Sequence, residues 1–215
     1  MNKFYFLIIL SLTFLINNMD ASISGDPGEI IAIKLNNKNK TTNNLTVNIM
    51  GDIYELIPLP FDKQGKSILI NNESIYVNNK DFGESRIKIE NTSMVSLSEV
   101  DSQRAYKESQ IIKNTLNSHT TVYKPEFNFI QPVEGIISSR YGKRRFINDL
   151  PRSPHLALDI AALSGSKIVA PAKGKIILIG DFFYSGNYII IDHGHGLLTS
   201  YSHLSKINVV KNQFG

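Results

Sequence analysis

Four of the five histidines of this 215-residue chain fall between positions 155 and 203, together with Asp159 and Asp192, and the chain has no cysteine. Three short patterns there could do chemistry. His155-Leu156-Ala157-Leu158-Asp159 is an H-x-x-x-D pair, His193-Gly194-His195 spells H-x-H, and His203 sits in Tyr201-Ser202-His203-Leu204-Ser205. Imidazole nitrogen and carboxylate oxygen both bind zinc at about 2.0–2.2 Å, and a catalytic zinc takes three protein ligands and a water. Spacing of i, i+4 brings His155 and Asp159 onto one face of a helix. In extended chain they would stand roughly 13 Å apart, so a strand would need a bend to join them. Ser153-Pro154 resembles a helix start and Ala161-Ala162 favours helix. Taken alone, the pair also fits a solvated helix face or a simple His–Asp hydrogen bond. His119, in the polar run Asn117-Ser118-His119-Thr120-Thr121, reads as a solvated loop residue.

The elements that must position these groups change character along the chain. Lys3 precedes an apolar run from Phe4 to Ile16, with Ala21 near a plausible cut. A spanning helix needs roughly 20 apolar residues, so this run reads as a secretory signal over 1–21 or, if uncleaved, as an anchor. From 22 to 98, short apolar runs alternate with Asn, Gly, Asp and Lys clusters: Ile30–Ile33, Leu45–Ile49, Ile53–Ile57, Ser67–Ile70, Ser74–Val77 and Ile87–Ile89. Period-two runs at close spacing predict a small antiparallel β domain. Apolar residues at three-to-five spacing from Glu99 to Leu116 predict an amphipathic helix, and a linker follows to 126. Residues 127–215 form the third segment. There, a strand begins at Gly135 and runs to Tyr141-Gly142. Ile168–Pro171 and Lys175–Ile179 read as one hairpin about Lys173-Gly174, and Tyr188–Ile191 with Leu197–Tyr201 as another.

Composition narrows the function classes. With 42% hydrophobic and 20% charged residues the chain is globular. Lack of cysteine removes disulfides, Cys-based zinc ribbons and thiol nucleophiles. A net charge of +4 spread over this length is a mild bias toward anionic surfaces. The basic residues are scattered and the chain reads as exported, so nucleic acid is not an expected partner.

The motifs form a series. Pro132-Val133-Glu134-Gly135-Ile136-Ile137-Ser138-Ser139-Arg140-Tyr141-Gly142-Lys143-Arg144-Arg145 leads to Pro154-His155-Leu156-Ala157-Leu158-Asp159-Ile160-Ala161. Next come Gly165-Ser166-Lys167-Ile168-Val169-Ala170-Pro171 and Asn187-Tyr188-Ile189-Ile190-Ile191-Asp192-His193-Gly194, then Tyr201-Ser202-His203-Leu204-Ser205. In this order, from Phe129 to about Val210, they resemble the lysostaphin/LytM-type zinc metallopeptidases, which cut peptide cross-links in peptidoglycan. That resemblance implies a mainly β fold: a small N-terminal β domain, a linking helix, and an incomplete antiparallel β-sheet core of the LytM type. It makes His155 and Asp159 the first two zinc ligands on the wall of that core, which decides against helix. His203 becomes the catalytic histidine that orients or deprotonates the attacking water. Tyr141 and Arg144, in the S-x-Y-G-x-R stretch, become candidate substrate contacts, although a solvated basic turn with Arg140, Lys143 and Arg145 fits Arg144 as well.

Two features depart from the family pattern. His193-Gly194-His195 has the spelling of the family's third-ligand motif but occupies the D-H-G turn of a hairpin tip, a structural position. The family's own H-x-H lies beyond the Y-x-H-L-S strand, and the sequence stops at Gly215 before reaching it. The expectation is a truncated core domain in 127–215 with weakened zinc binding and impaired activity. A third ligand would have to come from His193, His195, a second copy or a complementing C-terminal fragment. The resemblance places the protein in the periplasm or cell envelope, acting on peptidoglycan peptides. A non-catalytic wall-binding or hydrolase-regulating protein, or the remnant of a split gene, is the alternative.

Overall fold

The computed structural model describes residues 23–35, 45–70, 72–90, 96–118 and 120–215. The expected signal segment 1–21 and His119 lie outside the described residues. The fold is mainly β, with one long helix among the described residues. No helix among them is long and apolar enough to cross a membrane. The chain divides into two compact units that do not follow chain order: residues 23–88 with 137–159, and residues 89–136 with 160–215.

Three-stranded sheets build the first unit. β1 (Ile23–Gly25) pairs in parallel with β6 (Glu73–Val77), whose other edge takes β5 (Lys66–Ile70). β4 (Asp52–Pro58) lies between β2 (Ile30–Lys34) and β3 (Thr46–Ile49), both antiparallel to it. Period-two burial on β2 and β6 points Ile31, Ile33, Ile75 and Val77 inward, and with Ile57 and Leu59 they make an aliphatic core. Burying each such side chain is worth about 1.5–3 kcal/mol. The third sheet is built from distant parts of the sequence. β7 (Glu84–Ile87) lies parallel to β9 (Arg144–Ile147), which turns through Asn148-Asp149 into β10 (Leu150–Arg152). Both turn residues have positive φ, 50° and 62°, the backbone of a two-residue hairpin that Asn and Asp tolerate. Two parallel pairings thus sit among ladders that period-two patterning alone would make antiparallel.

In the second unit, β13 (Gly186–Asp192) lies between β12 (Lys175–Phe182) and β14 (Leu198–Leu204), all antiparallel. Leu178, Phe182, Tyr188 and Ile190 form its core, with Ile112 of α1 (Glu99–Leu116) packed against it. Phe182 meets Tyr188 edge-on at 5.6 Å between ring centroids. Ser98 caps α1 by accepting from Asp101 N, and the Glu108 carboxylate accepts from Phe183 N and Arg104 Nε.

One expected hairpin is absent. Ile168–Pro171 does not pair with β12; Val169 N donates to Pro132 O and Ile130 N donates to Pro171 O instead. Proline at 171 has no N–H to give a ladder, and the segment spends its backbone groups on residues 130–132. The expected strand from Gly135 to Gly142 is also shorter. β8 (Ile136–Ser139) pairs with β11 (Asp159–Ala161), and the chain then turns at Gly142, where φ is +91°.

Candidate metal centre

His155 lies between β10 and β11 in irregular chain, and Asp159 opens β11. A bend over residues 156–158, not a helix, brings their side chains together. Backbone bonds fix that bend: Gly142 N donates to His155 O at 2.7 Å, and His155 N donates to Lys143 O at 2.9 Å. His155 Nε2 stands 3.0 Å from Asp159 Oδ1. On the other side of the ring, Nδ1 stands 3.1 Å from Arg140 O and 3.2 Å from Ser139 Oγ. His155 is buried at 3% exposure, whereas Asp159 is exposed.

Arg140 O and the Asp159 carboxylate are acceptors only, and they face opposite nitrogens, while the Ser139 hydroxyl can donate to Nδ1 or accept from it. With Nδ1–H donating to Arg140 O, Nε2 would turn its lone pair toward Asp159 Oδ1, the orientation in which metal-binding histidines are commonly held. Two donors of a tetrahedral zinc bound at about 2.0–2.2 Å lie roughly 3.3–3.6 Å apart, so the pair needs to part by only a few tenths of an ångström. Nitrogen and carboxylate donors therefore suit zinc here. Among the described residues, no group of three His, Cys, Asp or Glu side chains is gathered at one point.

His203 belongs to the other unit, on β14. Register against β13 jumps from Asn187↔Leu204 to Ile189↔Tyr201, so Ser202 and His203 form a bulge. His203 takes φ +58° there and donates its backbone N–H to Ser185 O at 2.8 Å. Bulges of this kind re-aim a side chain out of the ladder's alternation, and the His203 side chain is exposed.

The remaining candidates are arranged as follows. Tyr141 packs edge-on against Phe61 at 6.0 Å and Phe82 at 5.8 Å, and burial pushes its phenol pKa up. Arg144 is exposed and reaches Asp81 at 3.5 Å and Glu84 at 3.4 Å. His193 is buried at 1% exposure, with Nδ1 2.7 Å from Lys173 O and Nε2 2.8 Å from Thr199 Oγ1. Tyr201 Oη donates onward to Thr199 Oγ1 at 3.2 Å. The neighbouring His195 takes φ +51° in the tip between Gly194 and Gly196. Sequence reasoning assigned no role to Ser139 or to the Arg140 carbonyl. A backbone acceptor leaves no mark in residue identity; only the adjacency of Ser138-Ser139-Arg140 to the H-x-x-x-D pair in the motif series hinted at it.

Comparison with known proteins shows the fold and a partial match to one family. A solved structure of a Pseudomonas aeruginosa protein assigned to peptidase M23 superposes with a TM-score of 0.65, covering 91% of this chain and 79% of that one. At 23% identity this likeness establishes the fold, a mainly β M23-type architecture. Residues 153–214 match the model of Peptidase family M23. The chain is 37% identical over 78 residues, 36% of its length, to the peptidoglycan DD-endopeptidase ShyA of Vibrio cholerae, and 38% identical over 60 residues, 28% of its length, to ShyB of the same organism. An uncharacterized metalloprotease of Buchnera aphidicola is 37% identical over 75 residues. These alignments span 18%, 14% and 20% of the relatives' lengths, so the likeness is to a short part of longer proteins.

Proposed function

We propose that this chain is a zinc-dependent peptidoglycan endopeptidase of the cell envelope that hydrolyses cross-linking peptides. One observation carries the reading: the buried His155 ring sets Nε2 3.0 Å from the Asp159 carboxylate while Arg140 O and Ser139 Oγ hold the opposite nitrogen, a nitrogen–carboxylate pair of the kind zinc takes. The match of residues 153–214 to Peptidase family M23 and the names of the relatives support it. His155 Nε2 and Asp159 Oδ1 are the proposed protein donors to zinc, with Arg140 O and Ser139 Oγ orienting the ring. Zinc bound there would supply a Lewis acid and lower the pKa of a bound water toward neutrality. His203 is the proposed proton acceptor, a role carried over from the resemblance to the LytM-type enzymes. Arg144, with the ring of Tyr141 near it in sequence, is the proposed substrate contact.

The donor count bears on strength. Zinc sites in enzymes use three protein ligands, and the described residues gather two. We propose weak zinc retention and low activity until a third donor is supplied. The same count favours a second reading, a wall-binding or hydrolase-regulating protein that does not cut. The test is zinc content of the purified full chain beside His155→Ala, followed by incubation with purified peptidoglycan. About one zinc per chain, lost in His155→Ala, with release of cross-link fragments supports the enzyme. Retained binding to peptidoglycan without zinc or cleavage supports the second reading.

A further inference from the structure

Within the unit formed by residues 23–88 and 137–159 there is an open cavity of about 440 Å³, lined by Phe61, Gln64, Asn79, Lys80, Asp81, Phe82, Gly142 and Arg144. It falls within the size range of small-ligand sites. Its floor is built deliberately. Phe61 and Phe82 stand 5.8 Å apart and remain half-buried, and Phe82 lies directly on Gly142. A Cβ at position 142 would come within 2.2 Å of that ring, and φ there is +91°, so glycine is what lets the aromatic floor form.

The polar groups around the floor define the ligand's chemistry. Lys80 Nζ is held by Asp26 at 2.6 Å, and Arg144 reaches Asp81 and Glu84. Both cations are therefore already neutralised, and the site does not select a strong anion. Gln64 accepts from Lys80 N through Oε1, and its amide nitrogen donates to no group among the described residues. The exposed Asn79 amide likewise has no partner among them. Planar amides beside partly exposed aromatic rings suit a neutral ligand with hydroxyl and amide groups and an apolar ring face. Peptides are commonly captured by adding a strand to a sheet edge. Of the lining residues only Arg144 lies in a strand, and β9 is paired on both sides by β7 and β10.

We infer that this cavity is a saccharide site for an N-acetylated hexosamine unit of a glycan strand. It rests on the peptidoglycan reading above, since peptidoglycan alternates such sugars with the peptides that would be cut. The probe is N,N′,N″-triacetylchitotriose, titrated into the full chain by calorimetry and by ligand-observed NMR, with a stem peptide ending in D-alanine as competitor. Saturable sugar binding that weakens about tenfold in Asn79→Ala and again in Gln64→Ala supports the inference. Circular dichroism confirms that each variant is folded, and Phe61→Leu replaces any that is not. Absence of sugar binding overturns it, as does binding that the substitutions leave unchanged or capture of the peptide in place of the sugar. Zinc content and peptide cleavage are read separately on the unaltered chain. Sugar bound without zinc or cleavage removes the enzyme reading alone. Zinc and cleavage without sugar remove this inference alone.

Discussion

His155 and His193 are the buried histidines among the described residues, one in each unit, and they differ in what faces Nε2. His193 has an acceptor, Lys173 O, at one nitrogen and a hydroxyl able to donate, Thr199 Oγ1, at the other. A single neutral tautomer satisfies it, and it ties the hairpin tip to β14. His155 has a carboxylate, Asp159 Oδ1, at one nitrogen and shares the other between an acceptor, Arg140 O, and a hydroxyl, Ser139 Oγ. Burial is nearly the same for the two rings, so burial does not separate a proposed ligand from a scaffold histidine; the partner at Nε2 does, a carboxylate at His155 and a hydroxyl at His193.

The largest expected effect lies in metal retention. His155→Ala should abolish stoichiometric zinc, while His193→Gln should leave it in place, because of the two rings only His155 has a carboxylate oxygen at a ring nitrogen. Elemental analysis after dialysis of the two variants decides the matter. Equal loss in both would break the contrast, since the H-x-H tip would then belong to the metal site. Next in size is the hydroxyl that completes His193. Thr199→Val keeps the shape of the side chain but leaves a buried ring nitrogen unpaired, which costs about 1–3 kcal/mol. Urea unfolding of the folded variant measures it; a change near zero would mean that His193 is not the tie proposed for β14. Smaller again is Ser139→Ala. Ser139 shares His155 Nδ1 with Arg140 O, so zinc affinity should fall by no more than about tenfold, at the weak end of effects from groups that orient a ligand. A competitive chelator titration would show it, and a loss as deep as that of His155→Ala would make Ser139 a ligand itself.

Much of the molecule was legible in the sequence where one local rule dominated. Apolar spacing from Glu99 to Leu116 matches the limits of α1, and Tyr188–Ile191 with Leu197–Tyr201 gave the second hairpin. Expectation failed where a distant segment decided the outcome. Ile168–Pro171 looks like a strand by composition, yet residues 130–132 take its hydrogen bonds. The parallel pairing of β7 with β9 joins positions near 85 and 145, which no local period can report. At the candidate centre, the H-x-x-x-D spelling picked out the two side chains but left helix and bend open, and only the family resemblance decided against helix. The bend that unites them depends on backbone bonds to Gly142 and Lys143, and the polarity of the ring's surroundings depends on a carbonyl. Backbone groups are the same in every residue, so this half of the site was silent.

The smallest expected effect is a pH dependence of stability that belongs to His193. Burial holds its imidazole pKa below the ordinary 6.5, outweighing the opposing pull of the Lys173 carbonyl and Asp192. The unfolded chain, titrating near the ordinary value, then takes up this proton before the folded chain does. Above about pH 6.5 the ring is neutral in both states and its contribution is complete; as pH falls toward the lowered folded value, that contribution is lost. Carboxylates add their own acid sensitivity further down. Asp26, bonded to Lys80 and Asn78, sits below its ordinary 3.8. Glu108 sits below 4.5, because the bonds from Phe183 N and Arg104 outweigh the effect of burial. A comparison between about pH 7.5 and about pH 5.5 therefore isolates the histidine window. Wild type should lose stability across that interval, and His193→Gln, although less stable at the upper end, should lose less. If the two curves run parallel, the slope comes from another histidine, and the neutral, tautomer-locked ring assigned to His193 is wrong.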